Sequence, residues 1–124
     1  RRIMLGTFAR MSGYRGQYYV KALKVRKKIM NEFAAAFRDV DVILSPTVPR
    51  VAPTFDELNN LSVKDEFLFD YISVGPNIAG LPHCSVPIQK NGLPFGIMVI
   101  GNHFDENAVV DVSHFIETRR GDQS

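Results

Sequence analysis

Apolar residues recur at steps of three and four through Tyr18, Ala22, Val25, Ile29, Phe33 and Phe37, which predicts an amphipathic helix over residues 14–40. Ser12 offers an N-cap hydroxyl before it, while Gly13 and Gly16 weaken the first turn by adding backbone freedom. Residues 41–45 form a short β-branched run stopped by Pro46, whose missing N–H cannot continue a ladder; a buried strand is expected. Residues 46–62, with Pro46, Pro49 and Pro53 and two asparagines, hold no sustained period and read as a long surface loop. A helical pattern resumes over residues 64–74. It is apolar nearly all round, through Phe67, Leu68, Phe69, Tyr71 and Ile72, so a buried helix is expected, interrupted at Gly75-Pro76 and stopped by Gly80 and Pro82.

Residues 84–88 and 95–100 are two apolar runs separated by a segment containing Asn91-Gly92, a dipeptide that suits hairpin turns, and they predict an antiparallel hairpin. Asp105 and Glu106 place negative charge at the start of a last helix. Ala108, Val109, Val112, Phe115 and Ile116 form its apolar face through Thr118, and Arg119 and Arg120 favour its end. The order helix, strand, helix, hairpin, helix indicates an α/β layer fold. Residues 1–118 read as one domain or part of one, with 119–124 as a mobile tail.

Composition narrows the function classes. At 124 residues, 45% hydrophobic and 23% charged, the chain lies in the range of a soluble globular domain with a single core. A net charge of +2 and a pI near 8.8 are too mild to imply an electrostatic partner. Cys84 has no partner for an internal disulfide and sits in an apolar run, compatible with a reducing compartment. No apolar stretch is long enough for a membrane helix. The chain opens on Arg1 and an apolar stretch without a cap or turn signal, as a piece beginning inside an element would.

Several segments together carry a resemblance. They are Arg1-Arg2-Ile3-Met4-Leu5-Gly6-Thr7-Phe8, Gly13-Tyr14, Asp41 to Pro46 with Thr47, and Pro76-Asn77-Ile78-Ala79-Gly80-Leu81-Pro82 with Ser85-Val86-Pro87. Gly92-Leu93-Pro94 with Gly96, Ile100-Gly101 and Phe104-Asp105-Glu106 follow in matching order. The sequence resembles the amidase-signature family over residues 1–118, least over 50–64, and the Arg-Arg-Ile-x-Leu-Gly-Thr opening resembles its tRNA-dependent amidotransferase branch. Met98 and the stretch between Ala9 and Gln17, with Arg10, Arg15 and Gly16, depart from that branch's usual residues.

The resemblance implies a mixed β-sheet flanked by helices on both faces, and a place in the C-terminal part of the branch's glutamine-hydrolysing polypeptide. It implies a serine nucleophile, a second serine in a cis peptide and a proton-accepting lysine that all precede the matched region; none of Ser12, Ser45, Ser62, Ser73, Ser85 or Ser113 sits in a Gly-Ser-Ser-Gly context. The chain alone is therefore expected to be inactive. Ammonia would pass to a B subunit that uses ATP and Mg2+ to amidate glutamyl-tRNA, with a small C subunit bracing the pair, in the cytoplasm or in an organelle of a eukaryote. No cofactor, metal or membrane is expected for this chain itself.

Two substrate-holding positions of the branch match Arg2 and Asp70. Free glutamine carries a carboxylate and an ammonium; a guanidinium grips the first with two parallel hydrogen bonds, and a carboxylate holds the second. The pair would orient the side-chain amide rather than break it. Without the resemblance, Asp70 reads as a salt-bridged or capping acid and Arg2 as a surface cation. Lys21, Lys24 and Lys28 share a helix stripe that reads as a solvated face, with RNA contact the alternative. His83, His103 and His114 lack zinc-site spacing, and Ser85 lacks a nucleophile elbow. Two other readings stay open: a stand-alone amidase acting on another amide, and a non-catalytic interaction module.

Overall fold

The structure is a computed structural model that describes residues 2–11, 13–88 and 92–121, without the side chains of Arg2, Val63, Glu66 and Arg120. The expected N-cap Ser12, Asn91 of the predicted turn and residues 122–124 of the expected tail lie outside the described residues.

Among the described residues, three strands form one antiparallel sheet in the order β1-β3-β2: β1 (Val42–Pro46), β2 (His83–Ile88) and β3 (Phe95–Gly101). The predicted hairpin is β2 with β3, in register from His83 opposite Ile100 to Ile88 opposite Phe95. β1 returns along the other edge of β3, Val42 opposite Gly101 and Pro46 opposite Ile97. All of these pairings are antiparallel, so the mixed character expected of the whole sheet is not contained in this stretch.

Side chains alternate across the strands, and each face takes its own helices. On one face Met98 and Ile100 pack with Ala79 and Leu81, backed by Ile29, Met30, Phe33 and Phe37 of the region of α2 (Val20–Ala36) and by Ile72 of α5 (Tyr71–Ala79). On the other, Val86 and Val99 pack with Val109 of α6 (Glu106–Gly121), with Val42, Cys84, Val112 and Ile116 around them. Helices thus flank both faces. Gly101 allows the second contact, since a Cβ there would lie 2.6 Å from Val109 Cγ2 and 3.0 Å from the carbonyl of Asp105. At Gly75, by contrast, a Cβ would meet the Phe33 ring at 3.6 Å, an ordinary contact, so the packing of α5 on α2 does not depend on that glycine.

The helices depart from the pattern in four ways. The long helix predicted over 14–40 is regular only as α2; before it come α1 (Arg2–Arg10), a turn at Met11, and a π-helical stretch at Arg15–Tyr19. Gly13 and Gly16 disfavour regular helix at that point. The expected long loop contains α3 (Phe55–Asn59), started by a full capping box in which Thr54 and Glu57 satisfy each other's backbone amides. The single helix expected from 64 is two, α4 (Val63–Phe69) and α5, broken at Asp70, while α5 runs on through Gly75-Pro76. It ends at Gly80 in the left-handed conformation, φ 76°, with the amides of Gly80 and Leu81 bonded back to Asn77 and Pro76 carbonyls. The last helix, expected through 118, continues to Gly121.

Burial departs further. β1, expected to be buried, lies at an edge of this sheet with Leu44 54% exposed. The helix expected to be buried leaves Phe67 52% and Tyr71 74% exposed, and α1 leaves Ile3 86% exposed. The chain exposes 9752 Å², against roughly 6,700 Å² for a compact monomer of its mass. The apolar periods are real, but what they are built to meet is not among these elements.

Candidate functional site

Asp70 occupies the junction where α4 hands over to α5. Its backbone (φ −91°, ψ −6°) serves as C-cap of one helix and N-cap of the next, and its carbonyl accepts the Ser73 hydroxyl at 3.1 Å and the Val74 amide at 3.1 Å. The Asp70 side chain makes no capping bond to α5. It is exposed, contrary to its expected place on a buried helix. Its neighbours Phe67, Leu68 and Tyr71 are exposed as well, so the stretch is uncovered and not position 70 alone.

Arg2 opens α1, and its side chain lies outside the described residues. The structure therefore places Asp70 and leaves its geometry toward Arg2 undescribed. Beside α4 lies a hollow of about 460 Å³ lined by Pro49, Arg50, Leu61, Asp65, Leu68 and Phe69. Arg50 spans its rim, stacked 5.8 Å over the Phe69 ring and paired with Glu57 at 3.4 Å. The Glu57 carboxyl is held below the usual carboxylate range, first by the Thr54 amide, then by the Thr54 hydroxyl, with Arg50 adding to it. Sequence reasoning misses this brace, although Thr54-x-x-Glu57 is a capping-box signal.

The other polar feature is on the sheet. Ser85 and Thr47 share a hydroxyl–hydroxyl hydrogen bond of 2.6 Å across Gly96, and the Thr47 amide donates to the Gly96 carbonyl at 2.8 Å. Among the described residues no serine bonds to an imidazole or an amine; Ser45, Ser73 and Ser113 donate to carbonyls, Ser62 caps α4, and Ser113 also meets Cys84 Sγ at 2.7 Å. No nucleophile with an adjacent nitrogen base is assembled among them. No group of three His, Cys, Asp or Glu side chains among the described residues is placed to hold a metal ion, and no described helix is long and apolar enough to cross a membrane.

Known proteins supply the context. The chain is 48% identical over 118 residues to the A subunit of glutamyl-tRNA(Gln) amidotransferase from Thermoanaerobacter pseudethanolicus, a match that covers 94% of this chain and 24% of the relative. It is 47% identical to the corresponding protein of Brevibacillus brevis, covering 98% and 25% respectively. The crystal structure of the Thermotoga maritima A subunit superposes with a TM-score of 0.70 at 39% identity, over 88% of this chain and 24% of that one. The chain thus spans about a quarter of the length of the curated relatives it matches. Residues 1–110 match the amidase family. The break at Asp70, the glycine-and-proline exit from α5 and the hairpin all fall inside that match, and the chain belongs to the amidase family.

Proposed function

We propose that this chain is part of the glutamine-hydrolysing A subunit of a tRNA-dependent amidotransferase, in which it supplies one region of the sheet with its flanking helices and two anchors for free glutamine. The observation that carries the reading is the 48% identity to a curated A subunit across 94% of the chain. Asp70 is an exposed residue at a helix junction, and its carboxylate would hold the ammonium end by a charge-assisted bond. Arg2 would grip the carboxylate end. The serine, cis-serine and lysine that attack the amide would come from elsewhere in the polypeptide. The released ammonia would serve a B subunit using ATP and Mg2+, braced by a C subunit, with glutamyl-tRNA reached through the complex.

The test is kinetic and uses the full-length protein in its assembled complex. Arg2→Ala or Asp70→Ala should raise the KM for glutamine at least tenfold, about 1.4 kcal/mol of lost substrate binding, with kcat changed less. Unchanged glutamine kinetics in both variants would remove the zwitterion clamp and favour a stand-alone amidase acting on another amide.

The large exposed area also favours a second reading, an interaction module that pairs its uncovered apolar faces with another protein. Coding sequence flanking the chain separates the two. A continuous frame containing two serines in a glycine-rich stretch and an earlier lysine supports the glutaminase, and a frame without them supports the module.

A further inference from the structure

Charge is distributed very unevenly along this chain. Nine of its fifteen lysines and arginines fall within residues 1–28, and no aspartate or glutamate occurs before Glu32. The modest net charge therefore conceals a segment of +9 followed by a remainder of −7. In three dimensions this segment takes in α1, the π-helical stretch and the first half of α2.

Where α1 meets the π-helical stretch, the chain closes a small polar recess of about 180 Å³ lined by Arg10, Arg15 and Tyr19. The recess is built by backbone as well as side chains. The amides of Tyr14 and Arg15 both donate to the Met11 carbonyl at 3.0 Å, folding the end of α1 back on the next element, and Phe8 stacks on Tyr14 with ring centroids 4.5 Å apart. The wide turn bonds the Val20 amide to the Arg15 carbonyl, five residues apart, and such π-helical turns are frequent at functional sites. Arg10 sits 6.0 Å from the Tyr19 ring centroid. Neither arginine has a carboxylate partner among the described residues.

We propose that Arg10, Arg15 and Tyr19 form a phosphate-binding site. Two guanidinium groups and a phenolic hydroxyl line one recess; a single guanidinium fork satisfies a carboxylate, whereas this larger donor set matches the three or more oxygens of a phosphoryl group. The surrounding +9 segment raises the local concentration of polyanions, so the group is either a free phosphate or one phosphate of an RNA backbone.

The test leaves the protein unmutated at first. Arginines of the full chain are modified with phenylglyoxal and their rates followed by mass spectrometry, with inorganic phosphate, a short single-stranded RNA, or acetate at matched ionic strength. Phosphate or RNA should slow modification of Arg10 and Arg15 several-fold while exposed Arg38 is unaffected. Protection by RNA at far lower phosphate concentration assigns the group to a nucleic-acid backbone, and protection by inorganic phosphate alone assigns it to a small ligand. Equal protection by acetate, or none that distinguishes Arg10 and Arg15 from Arg38, overturns the site. As a second measurement, Arg15→Gln should weaken binding of the protecting anion several-fold more than Lys28→Gln, which removes one positive charge from α2, away from the recess; equal losses would leave only diffuse attraction and would also overturn it.

Discussion

Thr47 and Ser85 meet hydroxyl to hydroxyl at 2.6 Å from opposite sides of β3, directly over Gly96. Thr47 follows β1 and Ser85 lies on β2, so this bond crosses the middle strand and joins the two edges of the sheet. It exists because Gly96 has no side chain. A Cβ there would overlap the Ser85 hydroxyl and come within 2.6 Å of the Thr47 hydroxyl and 3.1 Å of the Thr47 Cβ.

Gly96→Ala should accordingly destabilise the full chain by about 1–3 kcal/mol, the usual cost of overpacking. The added methyl group competes with the hydroxyl pair for one space, so adding Ser85→Ala to Gly96→Ala should cost less than the sum of the single changes. Urea unfolding of the four proteins in the double-mutant cycle reads the coupling. Strict additivity would mean that the strand simply moves aside and that the hydroxyl pair is not what Gly96 protects.

The capping box of α3 gives a pH prediction with a definite sign. Glu57 accepts the Thr54 amide at 2.8 Å and lies 3.4 Å from Arg50, and these hold its carboxyl below the ordinary value. A depressed folded-state value means the stabilisation is fully present above the unfolded value and is lost as pH falls through the folded one. Amide hydrogen exchange in α3 should therefore accelerate on acidification within the carboxylate range, after correction for the intrinsic rate. In Glu57→Gln that pH dependence should disappear. If α3 protection stays flat across this range in the parent chain, the box is not what holds the helix.

The contact between α6 and the sheet depends on Gly101 as the hydroxyl pair depends on Gly96. The Val109 methyl group and the Asp105 carbonyl leave no space for a side chain there, and both flank the start of α6. Gly101→Ala should cost about 1–3 kcal/mol. Val109→Ala in the same chain should recover part of that loss by vacating the contested volume, although alone it destabilises by removing buried surface. A double variant no more stable than Gly101→Ala, measured by thermal unfolding, would place the strain on the Asp105 carbonyl instead.

What can be read from the residues is what local chemistry dictates. The β2–β3 hairpin follows from two apolar runs around a turn dipeptide, and the end of α5 follows from Gly80 with Pro82, because each signal lies within the element it specifies. The α3 capping box is equally local but is masked by the three prolines around it. The break at Asp70 is hidden because the apolar residues on both sides keep a helical period through it, which reports side-chain environment and not backbone continuity. Exposure of Phe67, Tyr71 and Leu44 is not legible at all: an apolar pattern says that a face is made to be covered and says nothing of whether the cover belongs to the same stretch of chain. The candidate site divides the same way. Arg2 and Asp70 come from resemblance, whereas the Arg10–Arg15–Tyr19 recess needs the turn at Met11 to bring its parts together.

Gly80 offers the clearest test of how α5 is held against the rest of the fold. Its φ of 76° lies in the left-handed region, where any Cβ crowds the backbone, and its amide and that of Leu81 close the helix end on the carbonyls of Asn77 and Pro76. The next carbonyl, of Ile78, accepts the Arg26 Nε–H at 2.9 Å, so the same turn joins α5 to α2. Gly80→Ala should cost about 1–2 kcal/mol from the backbone alone, since its Cβ would otherwise meet only ordinary contacts with the His103 and Arg26 side chains at 3.6 and 3.8 Å. Gly80→Asn should lose less, because asparagine tolerates this conformation better. The ordering Gly above Asn above Ala in thermal unfolding is the expected result. If alanine and asparagine are equally destabilising, side-chain volume rather than backbone conformation governs this turn, and the link from Arg26 to Ile78 becomes the element to test next.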